Sequence, residues 1–342
     1  MASIKNGRAL FNEIPSAYPE PGKTTVYDES ETIDPETVPL NGGFIVKTLV
    51  LSVDPYLRGK MREASAKSYS ASFEKGKPLY NYGVGVVLRS ENSAVKVGDH
   101  VYGVFPFQKF FIRPSLEGVR ILENKEKLPW STYLGAAGMP GQTAFFAWKE
   151  YSQSKKGDIV FVTAGAGPVG SLVIQIAKSE GLKVIASAGS EEKLDFIRSL
   201  GADVVFNYKT TKTADVLEKE GPIDIYWDNV GGESLDAALK YANHKARFLE
   251  CGMISDYNEK APPVTNLVQI VAKELKISGF LVFSLAPKHI EWFYNEIPGR
   301  IANGELKILE DFKKGLEYGG HAIEDVQRGR NYGKSVIVVA EE

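Results

Sequence analysis

Apolar and polar positions change rhythm along this chain. Up to about residue 129 the apolar runs are short, either alternating or continuous, and Gly, Pro, Asn and Asp punctuate them. Runs at 26–28, 43–52, 83–88 and 100–105 therefore read as strands, with Val97-Gly98-Asp99 as a turn. No amphipathic helix longer than two or three turns stands out there. From about residue 130 to 304, strand-like and helix-like segments alternate. Apolar runs at 159–162, 182–187, 203–207, 223–228, 247–252 and 275–283 predict buried strands. Helical patterns fall between them, near 191–200, 212–220, 233–243 and 264–274. Strands joined by helical crossovers predict a doubly wound parallel sheet. A last strand, 335–340, has no helix after it. Its expected place is back in the β-rich part. The reading is an α/β protein of two domains, one built from 1–129 with 305–342 and the other from 130–304.

The first strand of the second domain runs directly into Ala164-Gly165-Ala166-Gly167-Pro168-Val169-Gly170. Behind it, Val169, Leu172, Val173, Ile176 and Ala177 recur at the spacing of one helix face. Strand, G-x-G-x-x-G and helix in that order point to a Rossmann unit that binds a dinucleotide. Gly165 is expected to permit the tight turn, Gly167 the approach of a pyrophosphate, and Gly170 close packing of helix on strand. Pro168 suits a first helical turn, and the helix N-terminus offers N–H groups and a positive dipole end to phosphate.

Composition narrows the partners. The 342 residues carry 41 basic and 43 acidic side chains, so neither nucleic acid nor an anionic membrane is an expected partner. No apolar run approaches the ~18–20 residues that span a bilayer. The opening residues lack the apolar core of a signal peptide. Cys251 is the only cysteine, which fits a reducing, cytoplasmic setting. With it and only four histidines, His100, His244, His289 and His321, no zinc-ligand cluster is expected. His244 and His289 fall on predicted helices and read as solvated.

The blocks Val53-Asp-Pro-Tyr-Leu-Arg-Gly59, Asn81-Tyr-Gly-Val-Gly85, Gly138-Met-Pro-Gly-Gln-Thr-Ala144, Asp228-Asn-Val-Gly-Gly232, Cys251-Gly-Met-Ile-Ser-Asp-Tyr-Asn258 and Asn331-Tyr-Gly-Lys334 follow one another in order. With the glycine loop, Gly189-Ser-Glu-Glu-Lys193 and Phe206-Asn-Tyr-Lys209, they resemble the zinc-independent medium-chain dehydrogenase/reductase superfamily. More narrowly, the chain is similar to the alkenal, prostaglandin and plant double-bond reductases. The resemblance implies a GroES-like β-rich catalytic domain beside the Rossmann domain. It also implies NADPH as cofactor and hydride delivery to the carbon–carbon double bond of an enal or enone. A homodimer paired through the last Rossmann strand is implied as well. Cofactor contacts are implied at Pro140, Thr143, Gly165, Gly167, Pro168, Val169, Gly170, Ser190, Lys193, Tyr208, Asn229, Cys251, Gly252, Ser255, Tyr257, Phe280, Val282, Asn331 and Gly333. Asn331 and Lys334 are implied to close over the cofactor. Phe283 stands where prostaglandin-type members carry a pocket tyrosine, which removes a hydrogen-bond donor and argues against a prostaglandin-like substrate.

The chemistry of the residues leaves some choices open. Ser190 and Lys193 follow the second strand, where NAD-specific folds place an acid. Both could hold a 2′-phosphate with Tyr208, or Ser190 could simply be a helix N-cap and Lys193 a surface residue. Tyr56, Tyr82 and Tyr257 are expected on three loops, as substrate residues or as ordinary core-edge tyrosines. Tyr257 is the expected catalytic hydroxyl, because it follows a strand end at the sheet's carboxyl edge. Two alternatives keep the cofactor and change the role: a quinone reductase, and a cofactor-binding relative without catalysis. The second would need the glycine loop but not the three tyrosines together.

Overall fold

The computed structural model describes residues 3–342. They form two compact units, one running up to Gly135 and resuming as Glu310–Glu342, the other Ala136–Leu309.

The first unit holds β1 (Ile4–Lys5), β2 (Arg8–Phe11), β3 (Thr25–Asp28), β4 (Thr32–Ile33), β5 (Phe44–Ser52), β6 (Tyr80–Ser90), β7 (His100–Pro106), β8 (Phe110–Arg113) and β9 (Val119–Ile121). A one-turn helix, α1 (Leu57–Lys60), follows β5. The C-terminal segment adds β16 (Glu310–Lys314), α9 (Gly319–Gln327) and β17 (Lys334–Val338). The main sheet has the order β16-β17-β5-β6-β7-β9, with β8 also on β5. Thus the terminal strand does return to this unit, antiparallel to β5. Phe44, Val46 and Leu51 of β5 pack with Phe105, Phe107 and Phe111 in one core. β5 is buried on both faces except at Lys47, which is why its sequence reads as a nearly continuous apolar run.

The second unit opens with α2 (Met139–Ala147) and then alternates β10 (Ile159–Val162), α3 (Pro168–Ser179), β11 (Lys183–Ala188), α4 (Glu191–Ser199), β12 (Val204–Asn207), α5 (Thr213–Glu220), β13 (Ile223–Asp228), α6 (Gly232–Lys240), β14 (Ala242–Glu250), α7 (Val268–Ala272), β15 (Lys276–Gly279) and α8 (Val282–Ala302). Its six strands are all parallel, in the order β12-β11-β10-β13-β14-β15. The order reverses between β10 and β13, and such a switch point opens a crevice at the carboxyl ends of the strands. Phe161 stacks between Phe206 and Tyr226, centroids 5.9 and 5.3 Å away, and binds three strands into one core.

Several expectations are corrected. The strand expected over 275–283 ends at Gly279, and Val282 with Phe283 opens α8. A short apolar run cannot by its period separate a strand end from a helix start. The helix near 264–274 is only Val268–Ala272. His244 lies on β14, not on a helix, and pairs with Glu274 at 3.2 Å. His289 does sit on a helix but is buried, its Nε2 2.6 Å from Glu150 and its ring against Phe146. Tyr82 is within β6 rather than on a loop.

Candidate active site

The glycine loop shows what each small residue is for. Ala164, not a glycine, carries the left-handed backbone of the turn, with φ +50°. Gly165 serves packing instead: a Cβ there would stand 3.0–3.2 Å from Ile197, Ile174 and Ala186. At Gly170 a Cβ would come 2.6 Å from the Ala164 carbonyl, so helix α3 approaches the loop only because that side chain is missing. A Cβ at Gly167 would meet one atom, the Ala164 oxygen at 3.3 Å, and otherwise open space. Pro168 takes the first helical position. An open glycine backbone at a helix N-terminus is the cradle a pyrophosphate requires, so the loop fits a dinucleotide. Pro140 and Thr143 lie buried on α2, and the Thr143 hydroxyl donates to the Met139 carbonyl at 2.8 Å.

At the end of β11 a second cluster forms around Gly189. A Cβ there would lie 3.0 Å from the Tyr208 hydroxyl and 3.0 Å from Lys209 Cε. Ser190 occupies the N-cap position of α4, yet its side chain makes no capping bond. Lys193 follows within the first turn of α4. Lys209 escaped the sequence reading, although it ends the Phe206-Asn-Tyr-Lys209 block.

The third cluster lies past β13 and β14. Asn229 clamps the sheet edge: its backbone N–H donates to Thr163 Oγ1 at 2.8 Å and its Nδ2 to the Thr163 carbonyl at 2.7 Å. Its Oδ1 accepts from the Trp227 indole at 3.2 Å. Cys251 and Gly252 both donate backbone N–H groups to the Asp228 carbonyl, at 2.9 and 3.1 Å. Burial, then the charges of Asp228 and Glu250, pushes the Cys251 thiol up to about 12, so it is no thiolate nucleophile. The Ser255 hydroxyl donates to the Val230 carbonyl at 2.6 Å. Phe280 packs edge-on to Trp227, centroids 5.8 Å apart. Phe283 is 56% exposed on the first turn of α8. Tyr257 follows a short turn, Ile254–Asp256, that folds its ring back over the strand end. Its hydroxyl lies 3.2 Å from where a Gly252 Cβ would stand.

Beneath this edge sits a carboxyl pair that no motif announced. Asp228 and Glu250 are register partners on β13 and β14. Asp228 Oδ1 accepts from the Val230 and Gly231 N–H groups, both at 2.8 Å. Asp228 Oδ2 and both Glu250 oxygens are buried and find no donor among the described residues. Burial raises Asp228 despite its backbone bonds, and burial plus the Asp228 charge pushes Glu250 up to about 9. Glu250 therefore holds a proton at neutral pH.

In the β-rich unit, Lys334 is 2% exposed. Its Nζ donates to Asp54 Oδ1 at 2.8 Å and to the Val53 carbonyl at 2.7 Å. The side chain implied to close over a cofactor is thus spent inside its own unit. Asn331 turns its amide to the Gly333 carbonyl, 2.8 Å away. Tyr82 stacks on Tyr102, centroids 5.4 Å apart. Lys60, also unforeseen, rests its ammonium 3.7 Å from the Tyr80 ring centroid, 5.2 Å from Phe73 and 5.6 Å from Tyr56. Burial first, then Arg62, lowers its pKa to about 8. Among the described residues no three His, Cys, Asp or Glu side chains gather as a metal site, and no helix is long and apolar enough to cross a membrane.

A glycine loop opening a helix at the switch point of a 3-2-1-4-5-6 parallel sheet defines a dinucleotide-binding protein. Residues 168–297 match the family described as zinc-binding dehydrogenase, and residues 17–120 match the N-terminal domain of oxidoreductase family. An NADP(+)-dependent 2-alkenal reductase of Nicotiana tabacum is 37% identical over 99% of both chains. The (+)-pulegone reductase of Mentha piperita is 37% identical over 88% of this chain and 89% of its own. The structure of CurA in complex with NADPH from Vibrio vulnificus superposes with a TM-score of 0.89 at 31% identity, covering 98% of this chain and 100% of that one. The chain belongs to the medium-chain dehydrogenase/reductase superfamily, and it is an oxidoreductase.

Proposed function

We propose that this protein uses NADPH to reduce the carbon–carbon double bond of α,β-unsaturated aldehydes or ketones. The observation that carries the reading is the Tyr257 hydroxyl at the carboxyl edge of the sheet, over Gly252. The alkenal and pulegone reductases, alike over most of the chain, support the same reaction class. NADPH, when bound, supplies a hydride for the β-carbon of the substrate. The open backbone at Gly167 and the α3 N-terminus suit its pyrophosphate, and Ser190, Lys193, Tyr208 and Lys209 suit its 2′-phosphate. Asn229, Cys251, Gly252, Ser255, Phe280 and Val282 border its nicotinamide half. As negative charge develops on the substrate's carbonyl oxygen, a preorganised hydroxyl must meet it. Tyr257 takes that role, and an ordinary tyrosine stays protonated at neutral pH. Tyr56, Tyr82 and Phe283 are the substrate contacts that the resemblance suggests.

The cofactor assignment is tested at Lys193. A charge-assisted contact is worth roughly 1.5–3 kcal/mol. Lys193→Ala should therefore raise the dissociation constant for NADPH about tenfold or more and leave that for NADH nearly unchanged. Titration of both cofactors by fluorescence checks this; equal losses would place the phosphate elsewhere.

A homodimer is part of the same proposal. β15 ends the sheet and, among the described residues, pairs with β14 alone. Around it Leu267, Val268, Val271 and Ile277 are exposed, Val271 at 82%. An unpaired edge beside apolar side chains favours pairing with a second copy. Sedimentation velocity should give a dimer, and Val271→Asp should shift it toward monomer.

A further inference from the structure

Asp228 fastens two loops at the carboxyl edge of the parallel sheet. Its side chain holds one of them, Oδ1 accepting from the Val230 and Gly231 N–H groups. Its backbone carbonyl holds the other, accepting from Cys251 and Gly252. Ser255 ties the loops together, donating to the Val230 carbonyl from its hydroxyl at 2.6 Å and from its N–H at 3.1 Å. Asp228 is fully buried, and its register partner across the β13–β14 pairing is Glu250. On the far side of Glu250 the partner is Gly279 of β15, which brings no side chain. Thr163, just past β10, sets a hydroxyl 3.4 Å from Asp228 Oδ1. The other titratable groups against the pair are Tyr226 on β13 and Cys251 after β14, and burial keeps both neutral. No basic side chain is among the groups that act on Glu250. A protonated Glu250 can donate to the Asp228 carboxylate, whereas two ionised carboxylates have no hydrogen to share and repel.

We propose that Glu250 is a positioning residue for the cofactor: as an acid it donates to Asp228 and so keeps both loops in the shape that receives the nicotinamide half of NADPH. Its action runs through Asp228. The inference rests on the proposed placement of that half of the cofactor along Asn229, Cys251, Gly252 and Ser255. The pH sense follows, because the acid is the working form. Burial and the Asp228 charge hold Glu250 at about 9. The arrangement is therefore complete below that value and is lost as pH climbs through it. Ionisation sets a second negative charge against Asp228, and the side chain that anchors Val230 and Gly231 is pushed from its place.

Two ligands test this in the whole protein: NADPH, and 2′,5′-ADP, which carries the 2′-phosphate and no nicotinamide. Calorimetric titration gives both dissociation constants. Between about pH 7.5 and pH 10 the wild-type constant for NADPH should rise roughly fivefold to tenfold, as expected when binding needs one proton that is held at about 9. The constant for 2′,5′-ADP should not follow it. In Glu250→Gln the extra rise for NADPH should vanish, because the amide donates to Asp228 at every pH. The wild-type contrast between the two ligands is informative without any variant. A wild-type NADPH constant that stays flat, a rise shared equally by 2′,5′-ADP, or a rise that persists in Glu250→Gln overturns the proposal. The reaction class fails separately: NADPH that binds with this pH profile while 2-nonenal goes unreduced removes the proposed reaction and leaves the role of Glu250 standing.

Discussion

Tyr257→Phe should lower kcat on enals by about 10²–10³, the usual loss when one oxyanion donor is removed, with little change in NADPH affinity. The expectation follows from position and from elimination. The short turn Ile254–Asp256 holds Tyr257 so that its hydroxyl overlies Gly252 at the end of β14. Tyr56, the other hydroxyl one would nominate, has already committed its proton to Asn81. Cys251 is held as a neutral thiol by burial and by two carboxyls. Steady-state kinetics with 2-nonenal, together with an NADPH titration, checks the split between kcat and cofactor binding. A smaller drop would mean that a ribose hydroxyl shares the role. Wild-type kcat in Tyr257→Phe, with loss in Tyr56→Phe or Tyr82→Phe, would reassign the tyrosine.

Glu250→Gln should stabilise the protein, and by more at pH 8 than at pH 6. The folded chain holds Glu250 at about 9, whereas an unfolded glutamate titrates near 4.3. A raised folded pKa gives a contribution that is complete below the unfolded value and is lost as pH climbs through the folded one. For one proton the loss runs at about 1.4 kcal/mol per pH unit between those limits. The amide of glutamine can donate to the Asp228 carboxylate without holding a proton from solution, so the variant escapes that loss. Between pH 6 and 8 its advantage should grow by roughly 3 kcal/mol, or about 5 °C or more in the melting temperature. Thermal unfolding at the two pH values measures this. An advantage that does not change with pH would show that Glu250 is not held protonated in the native state.

Neither the pair nor its consequence was legible in the sequence. Asp228 lay in a recognised block and Glu250 looked like one polar residue inside a strand. Their meeting depends on the register of two neighbouring strands, which no periodicity reveals. The strand ends were equally hard to read. Phe280 to Phe283 continue the apolar run, and only the end of the β14–β15 pairing at Gly279 shows that the strand has already stopped.

The sequence by itself determined the Rossmann unit. Its central strands are buried on both faces and its helices on one, so burial writes two distinct periods into the chain. The glycine loop is local too, since its geometry is set within a few residues of β10 and α3. Even so, structure moved the left-handed turn residue from Gly165 to Ala164. The tertiary fold alone decided what the buried polar side chains do. Lys334 reaches Asp54 across 280 residues of sequence and Asn81 reaches Asp54 across 27. Together they hold the Asn81 amide with its oxygen toward the Tyr56 hydroxyl. Polar groups carry no periodic signature, and their roles follow from which donors and acceptors burial leaves within reach.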